Sequence, residues 1–383
     1  MSAERNTTNW RERLASAAYR TGGLRMLEHL ARSFELRRSA GQKLPRWQRG
    51  TGAKYVILCY HRVGTEGIPL YASLSPEAFD QQMGYLRERY RVISLAELIR
   101  ELERPDAAGQ AVAVTFDDGY RDNYTHAFPV LQKYGIPATI FLAVGAIESG
   151  EVAWYDRVFL ALQVLPGPVL DLDVDIPRRY LLPSPQARHE AALDIVARLR
   201  KLPEGQQRQC CADLEKKVAL PAQELADRML TWEQVRAMHQ AGVSFGSHTV
   251  THPVLSRLTA SAVETELRDS KRILEERIGS AVEDFAFPFG QPADCGDLPA
   301  AVLARCGYRS AVTTSAGVNR PGADRYRLRR AQIGEGSSVA MFAFQLNQLF
   351  LRADEERQPS APEVYSRAEE EILCSSGNCP SEG

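Results

Sequence analysis

Three short stretches of this chain gather residue types that do chemistry. In the first, Val114-Thr115-Phe116-Asp117-Asp118-Gly119-Tyr120, a largely apolar run leads straight into two adjacent carboxylates. Acids at the C-terminal end of a strand are placed for catalysis in parallel α/β architectures, where ligands sit at that edge. Neighbouring carboxylates also repel, so one of them calls for a metal or a basic partner. Asp-Gly is equally a common turn dipeptide, which leaves a plain turn as the alternative. In the second stretch, Ser247-His248-Thr249-Val250-Thr251-His252-Pro253, two of only seven histidines stand four residues apart. On one turn of helix that spacing puts both imidazoles on the same side, a two-point grip for a metal. Thr249 follows the first histidine where a zinc-protease motif needs Glu, which excludes that motif. Without a metal the two are an ordinary surface or core pair. Together, two histidines and one aspartate supply three ligands and leave positions open for water, the layout of a catalytic metal site. The other aspartate is then available as a base. In the third stretch, Phe285-Ala286-Phe287-Pro288-Phe289-Gly290, aromatic rings flanking Pro and Gly could wall a sugar-sized groove, or simply fill the end of a buried strand.

The elements that must position these groups follow an α/β rhythm from Lys54 onward, in which short β-branched runs alternate with amphipathic stretches. Strands are expected at Tyr55 to Tyr60, Ala111 to Phe116, Ala138 to Val144, Val243 to Gly246, Asp284 to Phe287, Ser310 to Thr313 and Arg327 to Ile333. Helices are expected from Trp232 to Gln240, started by Thr231, and after Thr259. In the latter, Ser261 and Glu264 have capping-box spacing, and Val263, Leu267, Ser270, Leu274 and Ile278 trace one face. The repetition implies a parallel barrel or a wound sheet. One stretch breaks the rhythm: Leu165 to Pro185 is rich in proline and aspartate, and a helical block from His189 to Leu220 follows, which reads as an insertion capping one face.

Composition is that of an ordinary globular chain, with 44% hydrophobic and 25% charged residues over 383 positions. A formal charge of −1 argues against a general nucleic-acid binder. No apolar run approaches the roughly 20 residues that a membrane span needs. The charge is unevenly spread: residues 1–52 hold 11 Lys/Arg against 4 Asp/Glu, and residues 354–383 hold 2 against 8. Trp10 to Arg38 reads as a basic amphipathic helix broken at Gly22 and Gly23. It either packs on the main domain or makes a peripheral contact with anionic lipid at the inner face of the membrane. Pro45 to Gly52 reads as a linker, and the acidic, polar end from Asp354 as disordered. Met1 to Trp10 has no basic start followed by an apolar stretch, and the seven cysteines show no paired metal-ligand spacing. Both point to a reduced, cytoplasmic protein.

The order Thr-Phe-Asp-Asp-Gly, His-Thr-x-x-His-Pro and Phe-Pro-Phe-Gly, each after a predicted strand, resembles the polysaccharide deacetylases, the NodB-homology domain of carbohydrate esterase family 4. The resemblance runs from about Lys54 to Gly334. It implies a distorted (β/α) barrel of the NodB-homology type over residues 53–353, with a helical insertion at about 147–228. It further implies removal of an N-acetyl group from an N-acetylhexosamine unit with a divalent metal, of which zinc suits two histidines and a carboxylate best and nickel or cobalt would also serve. By motif position Asp117 is the general base, Asp118, His248 and His252 are the metal ligands, and the backbone N–H of Tyr120 faces the oxyanion. Many members carry an Arg where this chain has Ala286, and a late Leu-x-His whose histidine is the acid. Here that strand reads Leu328-Arg329-Arg330, with no histidine after His252. The acid is then Asp117 itself or His61, at the end of the first strand. In the insertion, Trp154 and Asp156 combine an aromatic face with a carboxylate and fit a sugar contact, or equally a structural anchor. With Phe287, Pro288 and Phe289 they complete the expected substrate groove. The favoured substrate is a glycan or lipid-linked saccharide of bacterial exopolysaccharide biosynthesis; a non-catalytic glycan-binding relative and a carbohydrate O-acetyl esterase remain open beside it.

Overall fold

The computed structural model describes residues 52–64, 73–173, 177–218, 228–297, 300–333 and 338–355. The expected basic head, the linker up to residue 51 and the acidic tail from residue 356 lie outside the described residues. Among the described residues there are ten strands: β1 (Lys54–Tyr60), β2 (Arg91–Val92), β3 (Gln110–Phe116), β4 (Ala138–Leu142), β5 (Val169–Asp173), β6 (Pro177–Leu181), β7 (Ser244–Ser247), β8 (Asp284–Ala286), β9 (Ser310–Val312) and β10 (Ala331–Gln332). Eight of them form one curled sheet in the order β10-β1-β3-β4-β7-β8-β9, with β2 also on β3, and neighbours run parallel throughout. All seven strands expected from the sequence belong to it.

The last of these was expected as one continuous strand from Arg327 to Ile333 but is shorter, because it serves two neighbours. Leu328 pairs with Val312 of β9, and Ala331 pairs with Leu58 of β1. The chain thus crosses the gap between the sheet's two ends, and Arg330 enters the interior at the crossing.

Parallel strands covered on both faces read as continuous apolar runs, and alternation decides which residue faces which way. Tyr55, Ile57, Ala111, Ala113, Phe141, Ala286, Val312 and Leu328 pack into one inner cluster with Leu95, Leu98 and Leu102 of the Leu95–Leu102 helix. Val56, Leu58, Tyr60, Val112, Val114 and Phe116 face the opposite way, into the larger cluster beneath the outer helices. Continuing the inner row of β3 through Ala111, Ala113 and Thr115 brings Asp117 to the mouth of the barrel on the inward side.

The helix expected from Thr231 spans Trp232–Gln240 and opens with a capping box between Thr231 and Gln234. The long one spans Ala260–Ile278, but its cap is Thr259, whose hydroxyl accepts from Ala262 N–H, so Ser261 lies inside the first turn. Val263, Leu267, Ser270 and Leu274 are its buried face, as their spacing predicts. The insertion is more ordered than its composition suggests. β5 and β6 form an antiparallel hairpin, followed by helices Pro185–Leu199 and Glu204–Val218. The last helix, Val339–Glu355, carries ordered chain two residues into the segment expected to be disordered. No helix among the described residues is long and apolar enough to cross a membrane.

Close approach of strands makes one glycine indispensable. A Cβ on Gly246 in β7 would stand 2.4 Å from the Phe141 ring and 3.0 Å from the backbone oxygen of Asp284. Gly246→Ala should therefore destabilise the fold by about 1–3 kcal/mol through overpacking, read as a lower midpoint in urea; an unchanged midpoint would contradict this packing.

Candidate active site

Asp117 and Asp118 both stay over the mouth of the barrel because the backbone reverses between them, and their side chains then diverge. Asp118 has φ 73° and Gly119 φ 86°, and short polar Asp is among the few non-glycine residues that tolerate this region. Gly119 has no room for a side chain, since a Cβ there would lie 2.6 Å from Leu142 Cδ2. Asp117 turns inward and meets Arg330, whose Nη1 and Nη2 donate to Oδ1 and Oδ2 at 2.7 and 2.6 Å. The guanidinium is fully buried and also donates from Nε to the Thr313 carbonyl and from Nη1 to Thr115 Oγ1. Burial opposes ionisation of Asp117, yet Arg330, with His248 and His61, holds its carboxyl well below the usual carboxylate range. Desolvation lowers Arg330 while Asp117 raises it, and the net direction is upward, so the pair is ionic on both sides. Sequence reasoning read this strand only as lacking a histidine. The signal available was parity: Arg330 shares the inward face with Leu328, where a charge has to be paired.

Asp118 turns toward the histidines. Its Oδ1 lies 3.5 Å from His248 Nε2 and 3.3 Å from His252 Nε2. Two atoms each about 2.1 Å from a tetrahedral ion stand roughly 3.4 Å apart, so this spacing is that of a ligand set. Both carboxylate oxygens of Asp118 are buried without a hydrogen-bond partner among the described residues, a costly state that a cation relieves. His248 Nδ1 contacts the Ala286 carbonyl at 2.7 Å, which places the proton there and leaves the Nε2 lone pair facing Asp118. Burial lowers the His248 imidazole to about 4, so the ring is neutral at pH 7, the form that binds a metal. Burial works against ionised Asp118, and His252, with His61 and His248, nonetheless brings its carboxyl below the ordinary value. The three residues therefore fit a divalent cation.

The histidines do not share a helix turn, contrary to the expectation from their spacing. The chain from His248 to His252 is a loop in which Thr249 and His252 have φ of 70° and 55°. The two rings converge from that loop with centroids 4.7 Å apart.

The remaining expected groups separate. His61 is the half-exposed member of the cluster, with Cys59 and Asp117 among its neighbours, their ligand-type atoms all within 4.8 Å. Desolvation lowers its imidazole against the pull of Asp118 and Asp117. Arg330 already occupies both oxygens of Asp117, and its charge opposes a cation there. The Tyr120 backbone follows Gly119 and is fastened by a bridge to Met229. Phe289 is half-buried with its ring 4.8 Å from that of His252, and Trp154 stands 6.0 Å from Phe289, so these two rings rim the site. Phe287 and Pro288 are in the interior, Phe287 packed on Phe285 and beneath Arg327, and offer a sugar no surface. Asp156 is likewise interior: its Oδ2 accepts from the Tyr120 hydroxyl at 2.7 Å, tying the insertion to the motif beside Asp118. Burial raises its carboxyl to about 7. A cleft of about 480 Å³, lined among others by Trp154, Arg157, Gln207, Thr251, His252 and Pro253, reaches the histidine loop, and Asp117 is not among its lining residues.

Residues 104–311 match the family model described as polysaccharide deacetylase. Among curated proteins the chain is 25% identical over 294 residues to YxkH of Bacillus subtilis (strain 168), a protein provisionally named a polysaccharide deacetylase; the match covers 76% of this chain and 75% of that one. A shorter match, 36% over 96 residues, is to the poly-beta-1,6-N-acetyl-D-glucosamine N-deacetylase of Escherichia coli (strain K12), covering 24% of this chain and 14% of that protein. Among solved structures, the Streptococcus pyogenes deacetylase PplD in complex with acetate has a TM-score of 0.53 at 24% identity, over 78% of this chain and 99% of that chain. That likeness is one of fold.

Two measurements follow from the buried charges. Arg330→Met should cost about 3–5 kcal/mol by leaving Asp117 unpaired, while Arg330→Met with Asp117→Leu should recover most of that loss; equal losses in urea unfolding would contradict the pairing. For Asp156 the folded value lies above the unfolded one, so stability is full below the ordinary carboxylate range and is lost as pH rises toward 7. In metal-stripped protein Asp156→Asn should match the parent near pH 4 and exceed it at pH 8, by up to about 4 kcal/mol. A difference independent of pH would show that Asp156 does not titrate in this way.

Proposed function

The chain belongs to the polysaccharide deacetylase family, and from that premise we propose that it is a metal-dependent hydrolase that removes the N-acetyl group from an N-acetylhexosamine unit of a glycan or lipid-linked saccharide. The observation that carries this reading is the pairing, at one barrel mouth, of a complete Asp118–His248–His252 ligand set with a second carboxylate, Asp117, kept ionised by Arg330. A binding module has no need of a second ionised carboxylate beside such a set. The partial match to a poly-N-acetylglucosamine deacetylase favours an exopolysaccharide substrate. Residues 53–353 form the catalytic unit in this reading, and a cytoplasmic setting favours a glycan precursor over finished polymer.

A divalent cation, zinc first and nickel or cobalt next, supplies Lewis-acid polarisation of the acetyl carbonyl and acidifies a water when bound by Asp118, His248 and His252. The protein's own residues do the rest. Asp117 accepts the proton of the attacking water, which its ionised state at neutral pH allows. The backbone N–H of Tyr120 donates to the carbonyl oxygen as negative charge develops on it. A proton must then reach the departing nitrogen. Arg330 engages both oxygens of Asp117 and favours its ionised form, so Asp117 gives up the proton it has taken; His61, with its ligand-type atom within 4.8 Å, receives that proton and passes it to the departing nitrogen. Trp154 and Phe289 provide the apolar faces against which the sugar ring lies.

Acetate release from N-acetylglucosamine oligomers and lipid-linked saccharides, with metal restored after chelation, tests the reading. Asp117→Asn should keep its metal and lose turnover by roughly 10²–10⁴-fold, and His61→Gln should slow release of amide-linked acetate more than of ester-linked acetate. Full turnover by Asp117→Asn would remove the assigned base, and release from esters alone would make the protein an O-acetyl esterase.

A further inference from the structure

The two histidine ligands proposed above are not held alike. His248 has a backbone carbonyl on its outer nitrogen, the usual brace of a metal-binding imidazole. His252 Nδ1 is buried with no hydrogen-bond partner among the described residues. Ring packing confines it, with Tyr155 at 4.9 Å and Phe289 at 4.8 Å, but its aim is set by the backbone that carries it. That backbone is itself unfavourable, since Thr249 and His252 both have positive φ, at roughly 1–3 kcal/mol each for non-glycine residues. Such a loop persists only where its surroundings over-determine it.

Within the loop, Thr249 Oγ1 accepts from His252 N–H at 3.1 Å; from outside it, one side chain makes three hydrogen bonds to the loop. Glu266, on the Ala260–Ile278 helix, accepts from Val250 N–H at 2.7 Å and Thr251 N–H at 3.0 Å through Oε2, and from the Thr251 hydroxyl at 2.7 Å through Oε1. On the other side of the same peptides, Val144 N–H donates to Thr249 O at 3.1 Å and Gly145 N–H to Val250 O at 2.9 Å. Gly145 can come this near because it has no Cβ, which would otherwise stand 2.6 Å from Val250 O. The loop is clamped between a carboxylate and a helix start. The clamp is referenced to the sheet as well, because Ser270, one turn along the same helix from Glu266, bonds Ser247 at the end of β7 at 2.7 Å. Nothing in the motif itself contains this carboxylate, which lies fourteen positions after His252.

We propose that Glu266 is the positioning residue for His252: by holding the Val250 and Thr251 peptides it imposes the backbone that aims an otherwise unbraced imidazole at Asp118. This rests on the reading of His252 as a metal ligand. The role is one of geometry, so shape and reach matter more than charge. Glu266→Gln keeps an acceptor for the two amides and can satisfy the Thr251 hydroxyl, whereas Glu266→Asp keeps the charge and is one methylene too short.

The test uses the full chain stripped of metal and titrated with cobalt(II), followed by its visible spectrum, with thermal unfolding of the metal-free form in parallel. Glu266→Ala and Glu266→Asp should weaken cobalt binding about 10–100-fold and alter the spectrum, while Glu266→Gln stays near the parent; the Asp variant serves if the Ala variant does not fold. The comparator is Glu275→Ala on the same helix, where Glu275 accepts from Val282 N–H at 3.0 Å and pairs with Lys271, away from the loop. It should lower the unfolding temperature and leave cobalt affinity alone. Unchanged affinity and spectrum in Glu266→Asp, or an equal loss of affinity in Glu275→Ala, would overturn the proposal. A parent and a His252→Ala variant that bind cobalt equally would instead overturn the ligand reading on which it rests.

Discussion

Two ionised carboxylates side by side in a site that excludes water cannot be tolerated unless each has its own positive partner, and the mouth of this barrel is organised around meeting that demand. The backbone reversal at Asp118 is what makes it possible. With a continuing extended backbone, side-chain parity would still have split the two, but Asp118 would have faced the outer helices. The left-handed turn keeps both over the mouth while sending one to Arg330 and the other to the imidazoles. The two partners differ in kind, and so do the consequences. Arg330 is a permanent charge in a bidentate fork, which fixes Asp117 as an anion with a single orientation. Burial keeps His248 neutral, so that imidazole brings Asp118 no positive charge, and the proposed cation is the partner that would meet the demand there.

Legibility from sequence followed the range of the forces involved. The barrel was readable because alternation and apolar runs are local: Ala111, Ala113 and Thr115 announce one face of β3, and Val112, Val114 and Phe116 the other. The motifs were readable because their residues are contiguous. Asp117, Asp118, His248 and His252 converge as expected, with His61 and Phe289 beside them. What was not readable depends on distant partners. The loop conformation of the two histidines is imposed from Gly145 and Glu266, so a helical turn was the natural but wrong reading of their spacing. The β5–β6 hairpin is hidden by Pro177 at the start of an edge strand, where its missing N–H does little harm. Phe287 and Pro288 looked like groove residues from type alone, and only the curvature of the sheet places them inside.

The insertion is integrated with the barrel rather than laid upon it. Asp156 takes the Tyr120 hydroxyl, and Arg200, at the end of helix Pro185–Leu199, pairs with Asp294 at 2.6 Å while its guanidinium lies 4.2 Å from the Phe289 ring centroid. Arg157, on a helix spanning Trp154–Val164, pairs with Glu215 on helix Glu204–Val218. The aromatic rim of the site, Trp154 from the insertion and Phe289 from the barrel, is therefore one unit assembled from two distant parts of the chain. A change in the insertion therefore alters the surroundings of Asp118, His248 and His252 without touching them.

The pattern of burial sets how a substrate meets this core. Asp117, Asp118, His248 and His252 are all at most 2% exposed, whereas His61 on the same mouth is half-exposed. An acetamide group is small and flat, and a sugar ring is neither. The proposed reacting groups thus lie beneath the surface, with partly exposed His61 on one side and the Tyr155–Phe289 packing beside His252 on the other. In the proposed reaction the acetyl group descends while the ring stays at the rim against Trp154 and Phe289, and the departing nitrogen remains on the His61 side. In that arrangement the proton that Asp117 removes from water passes through His61 to the same nitrogen.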